Sequence, residues 1–520
     1  MQLQTRRIGL STILAVFVTT GGGLAMGASF AQLTSLYETQ PEGCSHVIKP
    51  GWLWTSSGLI SDAVSTAQDG DRICIASGEY KDAITITKPL EIIGYGETPP
   101  QIISETAQDI VQWHAPGGKI ENLYLTQIGG EPSGSQVTGQ NGTTVFRAGQ
   151  PDYFSQDAHS GFTVVNARVS LNNMHIRNDV YSGIYVLGPE ANVQITGSII
   201  SENAEAGILA IDRAVISLTN SIIRDNRREG VRLDTGASFQ ARDFSLSGSG
   251  YSGVFTQNGA SFDISDARLS DGNAGGIVMG HCSGPGRLSD SHISGYKDGL
   301  AGIAMRGGEN LTLDRMQVSG NSRGVSCLPV LNAPGSPPLN LVITNAEISE
   351  NGTDGVDVSG ACNVQIQNSL ITKNRDRGIN NGGVLHVSGT KITRNGSGGH
   401  HSAGVVTDAV SEIVMRDTLV SENAGNGMIL AAGASVDIRD VVISGHPEAG
   451  LSIPLQRENQ RNSRPIQLER FLAQHQRNGL SEDMTFQSVK FSQNIGGAWH
   501  FVRDAYGDDA FVEPQLIGLE

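Results

Sequence analysis

The sequence predicts an all-β fold: a single-stranded right-handed parallel β-helix, a solenoid with about 23-residue coils and an N-terminal capping helix. Three observations predict it. First, a Gly followed by an aliphatic or similar residue recurs at Gly183, Gly207, Gly230, Gly253, Gly276, Gly302, Gly324, Gly355, Gly378, Gly404, Gly427 and Gly450. The spacings are 24, 23, 23, 23, 26, 22, 31, 23, 26, 23 and 23, and Gly497 stands two periods further on. Second, each period reads as three short strands separated by turns, as in Gly207–Ala210, Val215–Leu218 and Ile222-Ile223 before Asp225-Asn226. Third, an Asn recurs before the Gly at Asn203, Asn226, Asn321, Asn351, Asn374 and Asn423. Stacked at one position, these amides can hydrogen-bond from coil to coil. A leucine-rich repeat has a similar period, but it requires Leu-x-x-Leu-x-Leu and helix formers, whereas the buried positions here are Ile and Val. One coil cannot bury its own apolar face, so many must stack.

The elements follow in order. Residues 1–31 read as a signal peptide: Arg6 and Arg7, an apolar stretch from Ile8 to Met26, and small residues at Ala28-Ser29-Phe30-Ala31. Thr5-Arg6-Arg7 also fits the twin-arginine route weakly. Export to the periplasm or outside the cell is expected, and no membrane span. Residues 32–71 are expected to cap the stack, with a helix from Ser57 to Gly70 carrying Leu59, Ile60, Ala63, Val64 and Ala67 on one face. Residues 72–503 form the β-helix, beginning with strands at Ile73–Ala76, Ile84–Thr87 and Leu90–Ile93. Three insertions leave the stack at 129–162, 328–339 and 455–482, the last with a short helix around Leu468–Gln474, and 504–520 form a tail. Long loops on a regular scaffold are where function is commonly built.

The formal net charge is −16, and removing residues 1–31 deletes two Arg and no acid, giving −18. An acidic exported chain is a poor partner for nucleic acid or an anionic membrane. Five Cys leave at least one unpaired. Cys44 with Cys74 is the expected disulfide, and Cys327 with Cys362, one coil apart, is the other pair to look for. The connectivity of Cys282, Cys327 and Cys362 is otherwise open.

The segment Ala63-Val64 … Asp69-Gly70-Asp71-Arg72-Ile73-Cys74-Ile75 … Gly78-Glu79-Tyr80 … Ile84-Thr85-Ile86-Thr87-Lys88-Pro89-Leu90, continuing into the Gly-Ile/Val coils, resembles the pectin-lyase-like superfamily over about residues 60–500. The resemblance implies the fold. It leaves activity open among pectate and alginate lyases, mannuronan epimerases, polygalacturonases, pectin methylesterases and non-catalytic exported proteins. The Asp-Pro-His-Asp run of the epimerases is absent, and Gly280-His281-Cys282 only faintly echoes the polygalacturonase Gly-His-Gly.

In lyases and epimerases of that superfamily the substrate lies along the sheet that the Gly-Ile/Val strands resemble. Alternation turns one column outward: Tyr185, Leu209, Arg232, Phe255, Val278, Ala304, Ser326, Asp357, Asn380, Val406, Ile429 and Ser452. Arg306, His281 and Asp357 are the candidate catalytic residues. Arg306 would neutralise a carboxylate or act as base, His281 would be acid or base, and Asp357 would orient the substrate or hold Ca²⁺. Tyr185, Arg232, Asp234, Phe255 and Asn380 are the candidate substrate-binding residues. Paired carboxylates for hydrolysis are not apparent. His400-His401 beside Asp408 and the Trp52, Trp54 and Trp113 group are read as surface and packing respectively. Ca²⁺ is the one candidate cofactor, polysaccharide the expected partner, and no metal ligand set is assigned. The reading is an exported uronate polysaccharide lyase or epimerase; alternatively, a non-catalytic exported scaffold that binds glycan or a protein.

Overall fold

The computed structural model describes residues 41–50, 56–57, 59–105, 108–128, 159–329, 338–397, 402–431, 433–455, 484–494 and 499–503. The expected signal peptide, Trp52, Trp54, His400, His401, the Leu468–Gln474 helix and the 504–520 tail lie outside the described residues.

Among the described residues the strands build a right-handed parallel solenoid. The Gly-Ile/Val strands, from Ile84–Ile86 to Trp499–Arg503, form one 16-stranded sheet with one strand per coil. This is called the Gly-Ile sheet below. A second, 30-stranded sheet wraps the other faces. Where it bends, each coil places one residue in the left-handed region, for example Asn220 (φ 49°), Asp266 (φ 51°) and Asn345 (φ 54°). Short polar side chains tolerate that conformation best, which explains the Asn-Ser and Asp-rich corners of the repeat.

The expected inward column holds. Ile208, Val231, Val254, Ile277 and Ile303 pair in register and are wholly buried. The Asn ladder also forms: Asn203 donates to Asn226 (2.7 Å), and the run Asn321, Asn351, Asn374, Asn395, Asn423 is linked at 2.8–3.2 Å. Asn395 belongs to it although it stands nine positions before Gly404. His446 takes the next rung, accepting from the Asn423 N–H at 3.2 Å, and Asn494 follows by accepting from the His446 N–H at 3.1 Å. The rungs between Asn226 and Asn321 carry no Asn; Tyr296 is fully buried there.

The capping helix spans Leu59–Thr66 and buries Ile60 and Val64. Two details differ from the sequence reading. Leu59 is exposed, and the helix start is satisfied by Asp82, whose Oδ2 accepts from the Ile60 and Ser61 N–H groups at 2.9 and 3.0 Å. The strand ladder also begins earlier than expected, because His46–Ile48 pairs with Ile73–Ile75 inside the segment read as cap. A Cys44–Cys74 disulfide (Cα–Cα 5.8 Å) fastens that strand to the stack, and a second joins Cys327 to Cys362 (6.2 Å). Cys282 is a free, exposed thiol. Trp113 is core, stacked on Phe162 with ring centroids 6.3 Å apart. Among the described residues no helix is long and apolar enough to cross a membrane.

Candidate functional site

The outward column of the Gly-Ile sheet runs in the expected register from Tyr185 through Arg232, Phe255, Val278, Ala304, Ser326, Asp357 and Asn380 to Ser452. It is not a uniformly open floor. Leu209, Val278, Ala304, Ser326 and Ser452 are buried, whereas Tyr185, Arg232, Phe255, Asn380, Val406 and Ile429 are half-buried. Val278 and Ala304 lie with Ala301 beneath Leu300 and Phe255, an apolar ridge on the outside of the sheet. Two charged patches flank that ridge.

The richer one is a small grid on three consecutive coils. The residues just before the repeat Gly are Arg323, Asp354 and Arg377, stacked through Gly324 N–H to Asp354 O and Gly355 N–H to Arg377 O bonds of 3.1 and 2.9 Å. Beside them stand Ser326, Asp357 and Asn380. Arg323 Nη1 is 3.2 Å from Asp357 Oδ2, Asn380 Nδ2 donates to Asp357 Oδ1 at 2.9 Å, and Arg377 Nε is 3.8 Å from Asp354 Oδ1. The two carboxylates are buried while the Arg323 and Arg377 side chains are 28% exposed. Asp354 Oδ1 and the Nε atoms of Arg323 and Arg377 are buried without a hydrogen-bond partner. Burial pushes the Asp354 carboxyl up to about 6, with Arg377 opposing and the charge of Asp357 reinforcing it.

The second patch holds Glu205, Arg228, Glu229, Arg232 and Asp234. Arg228 Nη1 contacts Glu205 at 2.9 Å, and Glu229 lies 3.8 Å from both Arg228 and Arg232. Asp234 accepts from Gln257 (2.5 Å), Asn258 (2.8 Å) and Thr235 (3.1 Å), with Arg232 at 4.0 Å. The Arg232 guanidinium sits 5.5 Å over the Phe255 ring. Burial raises the Glu205 carboxyl against the pull of Arg228. Tyr185 packs on the apolar cluster of Tyr181, Ala206, Leu209 and Ile211, and burial raises its hydroxyl pKa.

Of the three candidate catalytic residues, Asp357 sits in the grid, but its ion-pair partner is Arg323 rather than Arg306. Arg306 follows the strand Ala301–Met305, half-buried, two positions past the outward column. His281 is exposed in the turn of the preceding coil, its Nε2 3.2 Å from Cys282 Sγ. A Cβ on Gly307 would lie 3.0 Å from His281 Cα, so the two turns do stack. Asn380 joins the grid, while Arg232, Asp234, Phe255 and Tyr185 belong to the other patch. The sequence reading found no paired carboxylates for hydrolysis; Asp354 and Asp357, which it did not group, share the grid, each facing an Arg. Their signal was present: of the twelve residues preceding the repeat Gly, only Glu229, Arg323, Asp354 and Arg377 are charged.

The donor set does not fit the Ca²⁺ that was the candidate cofactor. The oxygens of Asp357 and Asp234 already face Arg, Asn or Gln donors, and a Ca²⁺ site needs six to eight oxygens free to converge. Among the described residues no three His, Cys, Asp or Glu side chains converge on a point that could hold a metal.

Residues 160–312 and 301–460 match the family described as right-handed β-helix region. The chain belongs to this family. No curated protein matches its sequence significantly. Among solved structures, this β-helix protein is similar to the A-module of the mannuronan C-5 epimerase AlgE4 of Azotobacter vinelandii (14% identity, 69% of this chain and 89% of that one, TM-score 0.38). It is also similar to the catalytic unit of a GH87 α-1,3-glucanase from Streptomyces thermodiastaticus (14%, 78% and 66%, 0.39). A third similar structure is pectate lyase Pel9A (12%, 65% and 78%, 0.33). At these TM-scores nothing about the reaction of this β-helix protein follows from them.

Proposed function

We propose that the β-helix protein is an exported enzyme acting on an acidic polysaccharide, a uronate lyase or C5 epimerase, with its reacting centre at Asp354, Asp357, Arg323 and Arg377. The observation that carries this reading is Asp354: a carboxyl with a proton affinity near neutrality, next to a second carboxylate and between two guanidiniums whose Nε–H groups are buried and unpartnered. A uronate proton at C5 becomes acidic when its carboxylate is neutralised, and Arg323 and Arg377 supply that neutralisation through planar donor forks. Asp354, chiefly ionised at pH 7, takes the C5 proton; a base with a pKa near the working pH is efficient. Expulsion of the 4-O substituent, whose oxygen takes up the proton from Asp354, then gives a lyase, and reprotonation of C5 on the opposite face by solvent water, with Asp354 returning its proton to solvent, gives an epimerase. Asp357, held by Arg323 and Asn380, raises the basicity of Asp354 through its own negative charge. Arg306, in no ion pair among the described residues, receives the carboxylate of the sugar at the end of the bound chain.

Release of unsaturated uronate at 235 nm, across pectate, alginate and glycosaminoglycan substrates with and without Ca²⁺, tests the reading, alongside NMR of C5 configuration. Turnover lost in Asp354→Asn supports it. The second reading is a non-catalytic glycan- or protein-binding scaffold. It is favoured by the cation partner that each grid carboxylate already has, and it prevails when no substrate is changed by the wild type.

A further inference from the structure

We infer that the polysaccharide occupies only the C-terminal half of the Gly-Ile sheet and is stopped by the Leu300 ridge, so that the reaction falls near a chain end and, run as a lyase, releases disaccharides or monosaccharides. This rests on the proposed reaction at the grid and specifies how the polymer lies there. A β-helix coil rises ~4.8 Å, about the length of one pyranose residue, so coils count sugars. On the N-terminal side of Asp357 the outward column reads Ser326, then Ala304, then Val278. Ala304 and Val278 are 1% exposed, covered by Leu300 and Phe255. The ridge thus rises two coils, about 10 Å, from the reacting centre, leaving room for at most two sugars. On the other side Asn380, Val406 and Ile429 follow on successive coils, each half-buried and accessible. Their apolar surface suits the faces of sugar rings. The charges agree with this polarity: both grid guanidiniums lie on the open side of the ridge. Beyond it Arg232 is already engaged with Glu229, Asp234 and the Phe255 ring.

The test uses the full chain with octameric oligogalacturonate, oligomannuronate and oligoguluronate labelled at one end, with products sized by mass spectrometry from the first per cent of reaction. The expected early products are dimers and monomers. In Leu300→Ala, and in Phe255→Ala as an independent opening of the ridge, trimers and tetramers should appear from the start. A random ladder of tetramers to hexamers from the wild type overturns the inference while leaving the lyase reading intact. Binding of the same octamers reports on the footprint without turnover. Val406→Glu and Ile429→Glu should weaken it at least ~10-fold by placing like charge beside the polymer, and Gln112→Glu less than ~2-fold. Equal effects at Gln112 and Val406 would overturn the one-sided footprint. Absence of both turnover and binding would overturn the reaction and the inference together.

Discussion

Two charged patches share one face of one sheet, yet they are built to opposite ends. Around Glu229 and Asp234 the polar groups are closely matched: Asp234 accepts three side-chain hydrogen bonds, Glu229 lies between two Arg, and an aromatic ring lies beneath one of them. Around Asp354 the bookkeeping is left open, with three buried polar atoms, Asp354 Oδ1 and the Nε atoms of Arg323 and Arg377, unpartnered. A fully satisfied buried network cements coils together; a partly satisfied one is costly and persists where a ligand completes it. The comparison teaches that composition alone does not separate cement from site, whereas hydrogen-bond completeness does.

The largest effect should come from Asp354. Asp354→Asn is expected to lower turnover by roughly 10²–10⁴-fold, the usual contribution of a general base, while the urea midpoint stays level or rises. A fall in stability matching the fall in rate would erase the distinction between the patches. Glu229→Ala should do the reverse, costing roughly 3 kcal/mol because it leaves two Arg beside an emptied buried position. The kcat of the folded fraction should barely change, as urea titration and active-site-normalised rates would show.

A third prediction uses pH. Burial raises the Asp354 carboxyl to about 6, above the ~3.9 of an unfolded chain. The stability it contributes is therefore fully present below about pH 4 and is lost as the pH climbs through about 6. Activity should rise over the same interval, so fold and function trade against each other at this one side chain. In Asp354→Asn the pH-dependence of unfolding between 4 and 6 should flatten. The smallest expected effect belongs to the ladder. Burial depresses the His446 pKa, so protonation favours the unfolded chain, and its stabilisation is present above the unfolded ~6.5 and falls as the pH drops below that. His446→Asn should restore an amide rung and remove this acid sensitivity, measured by thermal unfolding at pH 5 against pH 7.5.

The fold was legible because the repeat encodes it redundantly. Every coil repeats a Gly, an inward aliphatic and a polar corner, so Ile208, Val231 and Val254 could be placed in one column from spacing alone. Asp357 and Asn380 were legible for the same reason, since strand alternation fixes which way they face. Arg323, Asp354 and Arg377 were not, because they sit one residue before the Gly, at or just ahead of the first residue of the strand, where the period-two rule gives no direction. Arg306 lies past the end of the strand Ala301–Met305, where alternation no longer fixes its direction. Burial of Val278 and Ala304 depends on Leu300, a turn residue whose direction no strand pattern specifies.

The ladder hydrogen bonds of a parallel solenoid run along its long axis. Tension applied between the two ends of such a molecule does not shear a sheet; it loads one coil boundary at a time, and the coils should peel apart in steps. The Cys327–Cys362 bond joins the coil that carries Ser326 to the coil that carries Asp357. It is a covalent stop across that boundary, so in a pulled molecule the segment from Cys327 to Cys362, with Asp354 and Asp357 in it, would stay looped shut after its neighbours had let go.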